Sequence, residues 1–157
     1  MKSFTLTTSL WLPASLERVF EFFSRAENLE RLTPHFLRFR VLTQPPITLR
    51  QGATIDYRIS LHGIPISWRS EITEWDPPHR FVDEQRRGPY RMWKHVHEFE
   101  READGTRVKD YLEYATWGGA IINTLLVAPD LRRIFAYRHS ALIAHFGATD
   151  SLAPPRS

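Results

Sequence analysis

The sequence has no cysteine, which excludes disulfides and thiolate metal sites and leaves the redox compartment undecided. Lysine is scarce too: 18 of the 21 basic residues are arginine. Those arginines are interleaved with Asp and Glu, the densest group being Arg86-Arg87 with Arg91, and the net charge is only +3. A nucleic-acid-binding surface needs a clustered basic stripe, so no nucleic-acid partner is expected. Long apolar runs are also missing. The longest, around Ala120 to Ala128, is far too short to span a bilayer, and stable membrane insertion is not expected. The N-terminus carries one Lys and then mixed polar residues, unlike a secretory signal. The default expectation is a cytoplasmic protein.

What is present is an ordinary globular composition, 42% hydrophobic and 25% charged over 157 residues. A chain of this size can bury roughly 70% of its unfolded surface. One domain over 1–147 is expected, followed by a disordered tail, 148–157, rich in Pro, Ser and Ala.

Hydrophobic spacing sets the element order. Phe4, Leu6, Thr8, Leu10 and Leu12 alternate as in a strand that Pro13 ends. Leu16, Val19, Phe20 and Phe23 then follow the spacing of an amphipathic helix, and Ala26 to Leu32 reads as a second short one stopping before Pro34. From Leu37 the period is 2 through six strands. Gln44-Pro45-Pro46, His62-Gly63, Asp76-Pro77-Pro78, Gly88-Pro89 and Asp104-Gly105 separate them. Short connections imply an antiparallel meander. After Gly118-Gly119, which could be a gate or a plain joint, comes an apolar segment. Pro129-Asp130 then starts a long final helix running to Gly147. The expected fold is α+β, order β-α-α-β6-α. A seven-stranded curved antiparallel sheet wraps on the C-terminal helix and leaves space for a ligand between them.

This order resembles the helix-grip fold of the START / polyketide cyclase (SRPBCC) superfamily, which includes the birch-pollen allergen. W-D-P-P-H-R-F-V-D-E at Trp75 to Glu84 is similar to its fifth strand entry. G-P-Y-R-M-W-K-H-V-H-E-F-E and D-G-T-R-V-K-D-Y-L-E-Y resemble its sixth and seventh strands. I-F-A-Y-R-H-S-A-L at Ile134 to Leu142 resembles the closing helix of bacterial cyclase/dehydrase-like members. The resemblance covers about residues 3 to 147 and implies binding of a hydrophobic or amphipathic molecule, lipid-, polyketide- or isoprenoid-like. Fold alone does not fix function.

The sharpest feature is the pair His95 and His97, which share a strand face with Trp93 and Phe99. Two histidines at i, i+2 can reach one zinc or iron ion, with Asp110 of the next strand as third ligand. The resembled family is not generally metal-dependent, so no metal and no cofactor are expected. His95, His97 and Asp110 are equally candidates for proton transfer, with Tyr57 and Tyr114 beside them, as in an aromatase/cyclase or dehydratase. They could also be polar fixtures on an apolar wall, satisfying one another. The expected ligand-binding residues are Tyr57, Ile59, Ile66, Trp68, Trp93, His95, His97, Phe99, Asp110, Leu112, Tyr114, Phe135, Arg138 and Leu142. Arg138 is the one able to hold a carboxylate or phosphate. Asp83, Glu84, Arg86, Arg87 and Arg91 read as a solvated hairpin. A non-enzymatic binder of a hydrophobic small molecule is the first expectation and an acid–base enzyme the second. A lipid or quinone carrier is the third, with Ile121 to Val127 touching membrane transiently. Oligomeric state is not readable.

Overall fold

The computed structural model describes residues 1–147, so the tail expected at 148–157 lies outside the described residues. Strand β1 (Phe4–Leu12) follows the opening alternation. Helix α1 (Leu16–Phe23) starts at Ser15, whose Oγ accepts a hydrogen bond from the Arg18 N–H at 3.2 Å and so satisfies one free donor of the first turn. Leu16, Val19, Phe20, Phe22 and Phe23 form its buried face.

The second helical element is weaker than its spacing suggests. Ala26–Leu29 and His35–Leu37 are separate 3-10 turns. Pro34 between them removes an N–H and bars helical geometry at Thr33, so no longer helix can propagate. Leu37 therefore ends a turn instead of opening a strand, and β2 shrinks to Arg40–Val41 at the sheet edge.

Strands β3 (Thr54–Leu61), β4 (Ile64–Asp76), β5 (Arg80–Arg87), β6 (Met92–Glu102) and β7 (Gly105–Ala115) complete the sheet. All neighbours are antiparallel, in the order β1-β7-β6-β5-β4-β3-β2. His62 and Gly63, with φ of 49° and 81°, make the two-residue turn that matches strand twist. At the β6–β7 hairpin the loop is Ala103-Asp104, and Gly105 already pairs with Glu102. Gly105 is needed for closeness: a Cβ there would run into the Leu12 carbonyl and the Trp11 indole.

Two bulges curve the sheet. One leaves Arg86 of β5 without a partner, the other Thr73 of β4. Beyond the second, Trp75 still packs inward, against Phe20 and Phe81.

The C-terminal helix begins earlier than Pro129. Gly118 and Gly119, both left-handed (φ 89° and 60°), form the joint that turns β7 into α2 (Gly119–Ile122). A π-helical turn, Asn123–Val127, leads into α3 (Ala128–Phe146). Pro129 cannot donate to the Leu125 carbonyl and its ring crowds it, and the wider turn is where the helix absorbs this. Leu131, Phe135, Arg138, Leu142 and Phe146 are the buried residues of α3, a stripe at helical spacing that includes one charge. Among the described residues, no helix is long and apolar enough to cross a membrane.

Two apolar clusters lie between sheet and helices. The larger joins α1 to Leu12, Ile55, Ile72, Phe81, Phe99, Val108, Leu142 and Phe146. The smaller joins Leu112 and Tyr114 to Leu131 and Phe135.

Candidate functional site

Strand register brings the polar residues of the inner face together. Asp83 of β5 is opposite His95 of β6, and Phe81 is opposite His97. His97 is opposite Asp110 of β7, which is opposite Thr8 of β1. From above, the α3 stripe lowers Arg138 onto the same spot. Alternation with period 2 and the helical stripe therefore converge six polar side chains on one point of an otherwise apolar interior.

The hydrogen bonds there are short and specific. His95 Nε2 donates to Asp110 Oδ1 at 2.8 Å, and His97 Nε2 donates to Asp83 Oδ2 at 2.7 Å. Thr8 Oγ1 donates to Asp110 Oδ2 at 3.1 Å, and Arg138 Nη2 donates to Asp110 Oδ1 at 3.3 Å. Arg138 Nη2 also lies 3.4 Å from His97 Nδ1. The two imidazole rings stand 3.8 Å apart between centroids, and His97 stacks on Phe81 at 4.1 Å. The Arg138 guanidinium sits over the Phe23 ring at 5.1 Å.

Burial and charge oppose each other in this cluster. Burial, then the neighbouring His95, draws the His97 imidazole down to about 4, against the pull of its bond to Asp83. His97 is therefore neutral near pH 7, with its proton on Nε2 and a lone pair on Nδ1 facing Arg138. Burial alone would push the Asp110 carboxyl up. The Arg138 charge and the His95 hydrogen bond outweigh it and hold Asp110 well below the usual carboxylate range. Asp83 behaves alike: burial raises it, the His97 bond and nearby positive charge lower it more, and the net direction is down. Two carboxylates and one guanidinium leave one negative charge beside the neutral His97 imidazole.

Beside the cluster lies a cavity of about 170 Å³, walled by the sheet, by α3 and by α1 with the 3-10 turns that follow it. Of the residues expected to bind ligand, Tyr57, Ile59, Trp68, Trp93, His95, His97, Phe135 and Arg138 line it. Ile66, Phe99, Asp110, Leu112, Tyr114 and Leu142 do not. Phe99 and Leu142 belong to the packed core around α1, and Leu112 and Tyr114 to the cluster under α3. Asp110 is 1% exposed and supports the histidines from behind. The solvated-hairpin reading is corrected at Asp83, whose side chain turns inward to His97 and the cavity because it shares the inner face with Phe81. Arg86, in contrast, pairs with Glu71 on the exposed face.

Several wall residues escaped the sequence reading. Ser70 shares its face with Trp68 and holds the Trp68 Nε1–H at 3.1 Å, a parity visible in the sequence. Leu32 lies between the two 3-10 turns and Leu37 ends the second, and the helix and strand spacings in which they stand do not show that both face the cavity. Tyr90, packed on Trp68 and Trp93, comes from the turn before β6.

A family model described as "Polyketide cyclase / dehydrase and lipid transport" matches residues 12–133. The chain belongs to this family. Its fold recurs in protein CV1439 from Chromobacterium violaceum, 16% identical, covering 90% of this chain and 96% of that one with a TM-score of 0.72. Ginseng major latex-like protein 151 from Panax ginseng shares it at 11% identity, covering 92% and 97%, with a TM-score of 0.65. A nucleoside-diphosphate sugar epimerase from Corynebacterium glutamicum is 29% identical over 88% of this chain, with a TM-score of 0.63. That match takes up only 28% of the epimerase chain, so the likeness is to one part of a longer protein. No curated relative matches the sequence. Family membership and the apolar cavity together support hydrophobic-ligand binding in general terms for this polyketide cyclase/dehydrase and lipid transport family member.

Proposed function

We propose that the protein binds an amphipathic small molecule, with its apolar body in the cavity and an anionic or carbonyl end against Arg138. Arg138 itself carries this reading. It is a buried guanidinium on the cavity wall, and its Nε–H finds no acceptor among the described residues. A buried donor without a partner costs about 1–3 kcal/mol, so a ligand oxygen that accepts from it is favoured. The surrounding wall of Tyr57, Ile59, Trp68, Trp93 and Phe135 suits a hydrocarbon chain or fused rings, such as a lipid-, polyketide- or isoprenoid-like body.

The test compares decanoate with decan-1-ol, read by native mass spectrometry and by quenching of Trp68 and Trp93 fluorescence. The wild type should prefer the acid. Arg138→Met should lose that preference by about tenfold or more, about 1.4 kcal/mol. Absence of binding for both amphiphiles, with no organic molecule co-purifying, would sink the reading.

Proton transfer on the bound molecule is a second reading, favoured by the neutral His97 beside ionised Asp83 at the cavity wall. With a keto substrate, His97→Asn should then lower turnover by orders of magnitude, and retained turnover would rule His97 out as the base.

A further inference from the structure

We propose that Asp83, His95 and His97 form a binding site for one divalent transition-metal ion at the polar end of the cavity. This goes beyond amphiphile binding and does not depend on it.

One donor atom from each residue can be chosen so that all three lie within 4.8 Å of one another. Asp83 Oδ2 is the pivot, 2.7 Å from His97 Nε2 and 4.0 Å from His95 Nδ1. An ion about 2.0–2.2 Å from each donor needs only small side-chain shifts to fit between them. Two imidazoles and one carboxylate, without thiolate, suit zinc, iron(II) or cobalt(II) more than magnesium or calcium.

The ring nitrogens on the far side point to one shared carboxylate. His95 Nε2 is 2.8 Å and His97 Nδ1 3.5 Å from Asp110 Oδ1. Asp110 is in turn fixed by Thr8 and Arg138. Metal-bound imidazoles almost always give their second N–H to such an outer partner, which sets tautomer and ring angle. Here one buried carboxylate holds the His95 ring and lies 3.5 Å from Nδ1 of the His97 ring, with Arg138 Nη2 3.4 Å from that same nitrogen. Metal binding at His97 Nε2 would move the ring proton to Nδ1, where Asp110 can accept it once the Arg138 guanidinium, 3.4 Å from Nδ1, turns aside.

The placement also leaves coordination positions free. Asp83, His95 and His97 all line the cavity and Asp110 does not, so the remaining positions face the space where a ligand would sit. Charge is favourable as well. Over neutral imidazoles the two carboxylates and Arg138 sum to one negative charge, and a divalent ion raises this to one positive charge. An anionic ligand end then completes neutrality. The spacing of His95 and His97 suggests a metal pair in the sequence, but Asp110 there takes the role of third ligand. The structure puts Asp83 in that role and Asp110 behind the rings.

The experiment uses the full chain stripped with chelator, without organic ligand, titrated with Co²⁺ and followed by visible ligand-field absorption and calorimetry. One equivalent should bind with a protein-ligated spectrum, and Zn²⁺ should displace it. Asp83→Asn and His97→Gln, checked for folding by circular dichroism, should each weaken binding at least 100-fold. Asp110→Asn should weaken it about 10- to 100-fold while the spectrum keeps its form. Absence of saturable binding in the wild type overturns the site. Equal binding in Asp83→Asn overturns it too, since the ion would then lie elsewhere, for instance on exposed histidines. Because decanoate is absent, failure here leaves amphiphile binding standing. Metal uptake by a protein that binds no amphiphile would instead remove that reading alone.

Discussion

Strand β6 runs through two halves of one interior that are built differently. At its Phe99 end the space under the sheet is filled. Phe20 and Phe23 of α1 meet Phe99 at 5.3 and 5.1 Å, and Phe20 meets Trp75 at 5.2 Å. At its Trp93 end aromatic residues line a space without filling it, with Trp68 edge-on to Trp93 at 5.1 Å. His95 and His97 stand at the border. The difference lies in what covers the sheet: a regular helix with three phenylalanines on one side, α3 together with irregular 3-10 turns on the other. The turns, short and kinked, cannot send a dense row of side chains into the space beside α3, and a cavity results. Stability and binding are thereby assigned to opposite ends of the same strand face.

The largest effect should come from emptying the filled half. Phe99 is 1% exposed, and Phe99→Ala should cost about 3–5 kcal/mol in urea unfolding. A loss under 1 kcal/mol would mean this end is no better packed than the cavity. Overfilling separates the halves more directly. Val19→Phe, at a fully buried position of α1, should cost about 1–3 kcal/mol. Ile59→Phe, facing the cavity, should change stability by under about 1 kcal/mol while lowering decanoate affinity at least tenfold. Equal costs at both sites would break the comparison. At the border, Thr8→Val removes one of three donors to Asp110 and should cost about 1 kcal/mol, because the other two remain. The outer sheet face should matter least. Arg69 at 2.7 Å holds the Asp56 carboxyl below its ordinary range. Its contribution is present above the ordinary carboxylate pKa and fades as pH falls below it. Both side chains are more than 40% exposed, so Asp56→Asn should barely change the acid limb of the unfolding curve. A clear shift would show that the outer face is electrostatically coupled to the core.

The filled half was the more legible one in the sequence. Regular spacing at Leu16, Val19, Phe20 and Phe23, and alternation through Trp93 to Phe99, carry its geometry directly. The hollow half is framed in part by residues whose spacing misleads, such as Leu32, which continues a helical spacing, and Leu37, which opens an alternation, although irregular turns carry both. The border cluster was legible in its histidines, in Asp110 and in Arg138, since each belongs to a periodic element. Asp83 was hidden by composition. It sits in a polar and charged stretch, Asp83 to Arg87, that looks solvent-facing, although its parity with Phe81 puts it on the inner face and the register sets it opposite His95. Pro129 misled in another way, because proline is at home in a first helical turn and the π-helical turn before it leaves no sequence mark of its own.

The bulge at Thr73 means that the bend of β4 is encoded as a count rather than as a residue type. The strand carries one more residue than its partner uses, and any side chain at that place keeps the surplus. Substitution at Thr73 changes the side chain, whose Oγ1 is buried without a partner, and leaves the count as it is. A one-residue deletion does not. Removing Thr73 leaves Ile72 and Trp75 on the inner face, since the surplus residue is the one that interrupts alternation, but it straightens the strand and flattens the vault above the cavity. The shape of the binding space is thus exposed to insertions and deletions at a point where the number of residues, more than their identity, sets the bend.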